Sequence, residues 1–195
     1  MTRKGREAMS EPFITTASGR SLYFDRPHPD QIDIGDIARG LATEFRWCGQ
    51  GSKWITVAEH SVAAAVAAQY RGLGTQVAKL ALLHDAHEFA MKDMPTPLKR
   101  SIPAYQAVAD RLQSAILEAL GLKPPTEAEA ESVHRIDLDL RLKEVIEGFA
   151  PSSLLQEGMV LPGNLPALVG LDPEGARRNF MLAWGALIDP TNAKA

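Results

Sequence analysis

The segment Leu82-Leu83-His84-Asp85-Ala86-His87-Glu88 sets two imidazoles and two carboxylates among apolar neighbours. At about 100° per residue of helix, His84 and Glu88 lie one turn apart, with Asp85 and His87 on either side. Burying that many polar groups costs several kcal/mol unless they are paired or hold a cation. Leu82 and Leu83 before the group and Phe89 after it argue against a solvated face. The chemistry these residue types suit is metal binding or acid–base catalysis. Two further positions belong with them. His60, in Thr56-Val57-Ala58-Glu59-His60-Ser61-Val62, opens another apolar helix. Asp137 falls on an apolar stripe with Val133, Ile136 and Leu140, where a carboxylate wants a cation or several donors. Asp139 does not share that stripe, so Asp137 is the better candidate ligand.

The remaining chemistry-bearing residues carry less. Of the five histidines, His28 and His134 have no partner pattern, and His87 reads as a neighbour of the cluster rather than an extra ligand. The one cysteine, Cys48, allows neither an internal disulfide nor a four-cysteine zinc site. Lys92, Lys99 and Arg100 are cations able to attract a polyphosphate, though Arg100 reads as a solvated helix residue.

These side chains need separate elements to carry them. Thr15 to Phe24 reads as a hairpin turning at Ser18-Gly19, and Asp33 to Glu44 as a short amphipathic helix. Phe45 to Trp54, with Gly49-Gln50-Gly51, suggests a second small hairpin or a loop. Helices are expected over Val57–Tyr70, Thr75–Met91 and Tyr105–Leu120, the last closed by Gly121. The prolines after Asp93 end the second of these, and Thr96 between two of them reads as a rigid turn. A capping box, Thr126 with Glu129, starts a helix running to about Glu147. Residues 148–170 read as a long loop, and Pro173–Leu187 as a final helix whose Phe180, Trp184 and Leu187 are core or subunit contacts. The expected fold is all-α with a small N-terminal β element, as one domain over 12–195 behind a mobile tail at 1–11.

The chain has 195 residues, 45% of them apolar, and a formal net charge of −3 from 21 basic and 24 acidic groups. No basic excess points to a nucleic-acid polymer. The longest apolar run, Val62–Ala68, is far short of the ~20 residues a bilayer requires. Met1–Glu11 has no apolar stretch of the kind found in secretion signals. A cytoplasmic protein without membrane contact is expected.

The order His60, His84-Asp85, Asp137, one group per helix, resembles the HD-domain metal-dependent phosphohydrolase superfamily. Residues 81–88, continuing through Asp93-Met94-Pro95-Thr96-Pro97-Leu98-Lys99, are similar to its bacterial 5′-deoxynucleotidase branch. Arg46-Trp47-x-Gly49, followed by Trp54, is closer to a phage and bacterial subgroup that includes a dATP triphosphohydrolase. The resemblance spans about Thr15 to Glu147. It implies a helical bundle in which His60, His84, Asp85 and Asp137 hold one divalent ion (Mn, Co, Fe or Zn). It gives Glu88 the orienting or deprotonation of the attacking water, and sets Asp93 near the leaving group or the water. Arg46 would hold the phosphate or stabilise charge developing on it, Lys99 would help bind the substrate, and Trp47 would pack on the sugar or base and exclude a 2′-hydroxyl. The implied activity is release of phosphate from deoxynucleoside 5′-monophosphates. Hydrolysis of dATP-type triphosphates is the alternative, and a non-catalytic metal- or nucleotide-binding regulatory module the second. A small nucleotide is the expected partner, and relatives suggest a homo-oligomer, dimeric or larger.

Overall fold

The computed structural model describes residues 13–149 and 163–189. The tail expected at 1–11 and the middle of the 148–170 loop lie outside them. Strands β1 (Phe13–Thr15) and β2 (Ser21–Tyr23) pair antiparallel with Ile14 opposite Leu22, and Gly19 supplies the positive φ of the turn. The Ser18 N–H and hydroxyl both donate to Asp36 (2.8 and 2.6 Å), which fastens the hairpin to helix α1 (Ile34–Ala42).

The rest is a helical bundle. Helix α2 (Val57–Tyr70) begins at Thr56, whose Oγ1 accepts from the Glu59 N–H at 3.1 Å. Its alanines are buried on nearly every side, and small side chains let neighbours approach from several directions at once. Those neighbours are α1, α3 (Gly74–Leu83), α7 (Glu127–Gly148) and α8 (Pro173–Ile188). Between α3 and α7 the chain forms α4 (Glu88–Met91), α5 (Thr96–Ser101) and α6 (Pro103–Ala119). The expected caps are present. Thr126 and Glu129 close a reciprocal box, and Leu122 N–H returns to Leu117 O after Gly121. Phe180, Trp184 and Leu187 face the core of this chain. The fold is therefore all-α with a small two-stranded N-terminal element. Among the described residues no helix is long and apolar enough to cross a membrane.

Two expectations are corrected, and the hairpin or loop expected over Phe45–Trp54 is narrowed to the loop. The helix expected over Thr75–Met91 is broken between Leu83 and Glu88. Gln113 of α6 inserts into its hydrogen-bond ladder. The His87 N–H, which would close on Leu83 O in an unbroken helix, donates to Gln113 Oε1 (3.2 Å), and Gln113 Nε2 donates to Leu83 O (2.7 Å). The bonds Ala86 N–H to Leu83 O, Glu88 N–H to Asp85 O and Phe89 N–H to Ala86 O span three residues, so the segment winds as a tight 3-10 turn. Phe45–Trp54 is not a hairpin. A single bridge pairs Phe45 with Thr56, and Arg46–Gly49 forms a turn with Trp47 and Cys48 at φ 58° and 53°. Thr96 opens α5 rather than holding a turn.

One long-range tie was invisible in the pattern. Thr56-x-x-Glu59 has the spelling of a capping box, yet the Glu59 carboxylate accepts from the N–H groups of Val169 (2.6 Å), Gly170 (3.1 Å) and Leu171 (3.0 Å). It anchors the segment leading into α8 beside the start of α2.

Candidate metal centre

His60 (from α2), His84 and Asp85 (from the broken turn after α3) and Asp137 (from α7) converge. One ligand atom from each lies within 4.8 Å of all the others. His60 Nε2 is 3.2 Å from Asp137 Oδ1, His84 Nε2 is 3.2 Å from Asp85 Oδ2, and the two rings are 5.2 Å apart. Each imidazole is oriented by its other nitrogen. His60 Nδ1 meets Glu144 Oε1 at 2.7 Å, and His84 Nδ1 meets Ala81 O at 2.8 Å. Both partners only accept, so Nδ1 carries hydrogen, and Nε2 is the nitrogen left to ligate an ion once it gives up any proton it holds.

The donor set passes a direct test of fit. His60 Nε2, His84 Nε2 and Asp137 Oδ1 are buried without hydrogen-bond partners. Buried polar atoms nearly always have a partner. Three that lack one and face a common point suit a cation. Two imidazoles and two carboxylates match a divalent ion of borderline softness. Asp85 and Asp137 are held well below the ordinary carboxylate range. Burial works against this at both, but His84 outweighs it at Asp85, as do His60 and His84 at Asp137. His84 is in turn held well above its usual value, since Asp85 and Asp137 overcome its burial.

Beside the centre lies a cavity of about 720 Å³ whose lining includes Arg46, Trp47, Asp85, Glu88, Asp93, Lys99, Arg100, Asp137 and Arg141. Glu88 is almost fully buried. Its Oε1 accepts from Lys99 Nζ (2.6 Å) and its Oε2 has no partner. Burial, then the nearby Asp85 and Asp93, push its carboxyl up to about 8 against the pull of Lys99. Such a carboxyl can gain and lose a proton near neutral pH. Asp93 is raised as well, chiefly by burial, with Arg46 and Lys99 opposing. Arg46 NH1 and NH2 point toward Asp85 (3.6 Å) and Asp137 (3.8 Å). A second cavity of about 870 Å³ also reaches His84, Asp85 and Asp137, with walls from α3, α6 and α7 that include Leu80, Leu117, Leu122, Pro124 and Val133.

The sequence-selected residues Arg46, Trp47, Glu88, Asp93 and Lys99 thus border one space with two of the four candidate ligands, Asp85 and Asp137. The other histidines do not join. His87 is braced by Gln113, with Nδ1 3.3 Å from Oε1, and burial holds it below its usual value. Asp139 accepts from Arg71 NH2 at 2.7 Å, away from the centre. Lys92 pairs with Glu44 at 2.8 Å. The residue that sequence reasoning missed is Glu144. It is buried on α7, and its two oxygens meet Arg46, Trp47 and His60. Two turns beyond Asp137 on the same helix face, it had a detectable signal in its spacing.

A partly buried two-histidine, two-aspartate cluster within a helical bundle defines the class of site. The chain belongs to the same family as the uncharacterized protein YfdR of Escherichia coli K12, to which it is 32% identical over 162 residues, 78% of this chain and 88% of YfdR. An uncharacterized protein of Rhodobacter capsulatus is 44% identical over 110 residues, 54% of this chain and 56% of its own. No protein-family model matches the chain.

Proposed function

We propose that this chain is a metal-dependent phosphohydrolase of the HD-domain type, releasing phosphate from deoxynucleoside 5′-monophosphates. The observation that carries the reading is the convergence of the unpartnered His60 Nε2, His84 Nε2 and Asp137 Oδ1 beside a cavity that holds the cations Arg46 and Lys99 and the unpartnered Glu88 Oε2. A divalent ion (Mn, Co, Fe or Zn) held by His60, His84, Asp85 and Asp137 would supply charge neutralisation at a phosphoryl oxygen and acidify a water.

The chain's own residues do the rest. Arg46 has Nε tied to Glu144 and presents NH1 and NH2 toward the centre, the fork that suits phosphate oxygens. Lys99 adds a second cation on the cavity wall and shares its charge with Glu88. Glu88 Oε2 takes a proton from the water as that water's oxygen bonds to phosphorus and the bond to the sugar oxygen breaks. Asp93, whose carboxyl is raised chiefly by burial, gives a proton to the departing sugar oxygen. Trp47 borders the same space next to Arg46, where its bulk limits what the sugar can carry.

A second reading, removal of tripolyphosphate from a dATP-type substrate, is favoured by Arg100 and Arg141, cations on the same wall beyond those one phosphate needs. Product analysis separates the two. Chelated protein reloaded with Mn or Co is incubated with deoxy- and ribonucleotides as mono- and triphosphates, with His84→Ala as the blank. Nucleoside plus orthophosphate from deoxynucleoside monophosphates is expected. Nucleoside plus tripolyphosphate would transfer the protein to the second reading. No metal-dependent product from any nucleotide would overturn both.

A further inference from the structure

Glu144 has no place among the candidate ligands or the groups that would touch phosphate. It is nonetheless one of the most completely used side chains in the molecule. It is 4% exposed. Arg46 Nε lies 2.8 Å from Oε1 and 2.9 Å from Oε2, Trp47 Nε1 donates to Oε2 at 2.7 Å, and His60 Nδ1 meets Oε1 at 2.7 Å. These three donors come from the turn at Arg46–Gly49 and from α2, while Glu144 itself comes from α7. One carboxylate therefore joins three parts of the chain at a single point.

Each bond restricts a different property. The bond to His60 keeps hydrogen on Nδ1 and leaves Nε2 as the donor toward the centre. The bond to Arg46 takes up Nε and turns NH1 and NH2 toward Asp85 and Asp137. The bond to Trp47 fixes the indole, whose other contact is an edge-on packing against Phe149 with ring centroids 5.4 Å apart. The turn it holds needs such a restraint, because Trp47 and Cys48 both adopt the left-handed backbone region. That region costs an L-residue about 1–2 kcal/mol. Freed from Glu144, the turn keeps Arg46 N–H on Ile55 O, Gln50 N–H on Trp47 O and Gln50 Nε2 on Cys48 O, the last two of them local.

We propose that Glu144 is the positioning residue that couples metal binding to substrate selection: one buried carboxylate orients the His60 ligand, aims the Arg46 guanidinium and pins the Trp47 indole. Metal affinity and the discrimination made at Arg46 and Trp47 are then two readings of the same group. The selection half rests on the phosphohydrolase reading of this site; the metal half does not.

Glu144→Gln is the discriminating variant. An amide supplies one accepting oxygen where the site uses two, and its NH₂ faces a donor whichever way it is turned. Co(II) titration followed by its visible absorption is expected to show affinity reduced about 10–100-fold, the usual effect of losing a group that orients a ligand. In the zinc-loaded protein, ¹⁵N histidine spectra are expected to lose the sharp, slowly exchanging Nδ1–H signal of His60. With nucleotides, KM is expected to rise and the deoxy-to-ribo preference to fall together. Glu144→Asp keeps the charge but draws it back by one methylene. It is expected to restore the preference in part, and it serves as the test if Glu144→Gln does not fold.

Folded Glu144→Gln with unchanged Co(II) affinity and an unchanged His60 signal would overturn the proposal, whatever the activity. A fall in metal affinity with KM and sugar preference untouched would overturn the coupling. Wild-type protein that binds Co(II) but hydrolyses no nucleotide would sink the phosphohydrolase reading while the metal and histidine readouts still judge Glu144.

Discussion

Gln113→Leu tests whether the broken helix is what aims the candidate base. Gln113 donates to Leu83 O at 2.7 Å and accepts from His87 N–H at 3.2 Å. Leucine has similar bulk and neither function. The loss of two hydrogen bonds to backbone groups is worth about 1 kcal/mol each. A total of about 2 kcal/mol corresponds to a drop in Tm of about 4–8 °C for a chain of this size. With the wedge gone, the His87 N–H is free to close on Leu83 O, and the segment can rewind as α-helix. Winding changes from about 120° to about 100° per residue, so Glu88 turns about 60° relative to Asp85. A misplacement of about 1 Å costs about 100-fold in rate. Co(II) affinity is expected to fall along with turnover, because His84 and Asp85 lie within the turn that rewinds. The assays are differential scanning calorimetry, Co(II) titration and nucleotide turnover on one preparation. A lowered Tm with turnover unchanged would show that the break does not aim Glu88. An unchanged Tm would show that the wedge contributes nothing.

Gly40→Ala builds a Cβ 2.4 Å from Phe89 O and 2.8 Å from Phe89 Cα, both backbone, so α1 and α4 must separate. A loss of about 1–3 kcal/mol is expected in chemical denaturation, and equal or greater stability would contradict the close approach. Metal at 100 times its Kd stabilises the fold by about 2.7 kcal/mol, a rise in Tm of about 5–11 °C. Asp137→Ala should abolish that rise, and a mutant melting with the full shift and full metal content would remove Asp137 from the ligand set. In metal-free protein the pH dependence carries the sign of Glu88. Its folded value of about 8 lies above its ordinary 4.5, so the folded state holds an extra proton between those limits. Stability therefore falls as pH rises through that window, by at most about 1.4 kcal/mol per pH unit. Melting from pH 5 to 9 should show a slope that Glu88→Gln flattens; a slope identical in the mutant would assign the effect elsewhere.

Regular periodicity explains what could be read from the sequence. The bounds of α2 and the caps at Thr126 and Gly121 follow local rules, because helix ends leave backbone groups that nearby groups satisfy. Asp137 was legible for a related reason, as a carboxylate on an apolar stripe. What could not be read depends on partners distant in sequence. Nothing between Thr75 and Met91 says that Gln113 will enter the ladder. Glu59 reads as a cap residue until Val169, Gly170 and Leu171 are brought against it. Glu144 reads as an ordinary helix glutamate until Arg46, Trp47 and His60 converge on it.

The irregular backbone segments share a location. The left-handed turn at Trp47 and Cys48, the tight turn after Leu83 and the positive φ of Lys92 before Asp93 all border the candidate metal centre. Each is an irregularity that the bundle stabilises from elsewhere: Glu144 on the first, Gln113 on the second, and Tyr105, whose hydroxyl donates to Lys92 O at 2.9 Å, on the third. Ideal helices would have spaced His84, Asp85, Glu88 and Asp93 around the helix at its own period, with few pointing to one place. Breaking the helices brings Asp85, Glu88 and Asp93 to one cavity, and the bracing side chains hold them there. On this account Gln113 and Glu144 belong to the site as much as the groups that face its interior, and their substitution should impair the centre more than their own contribution to stability would suggest.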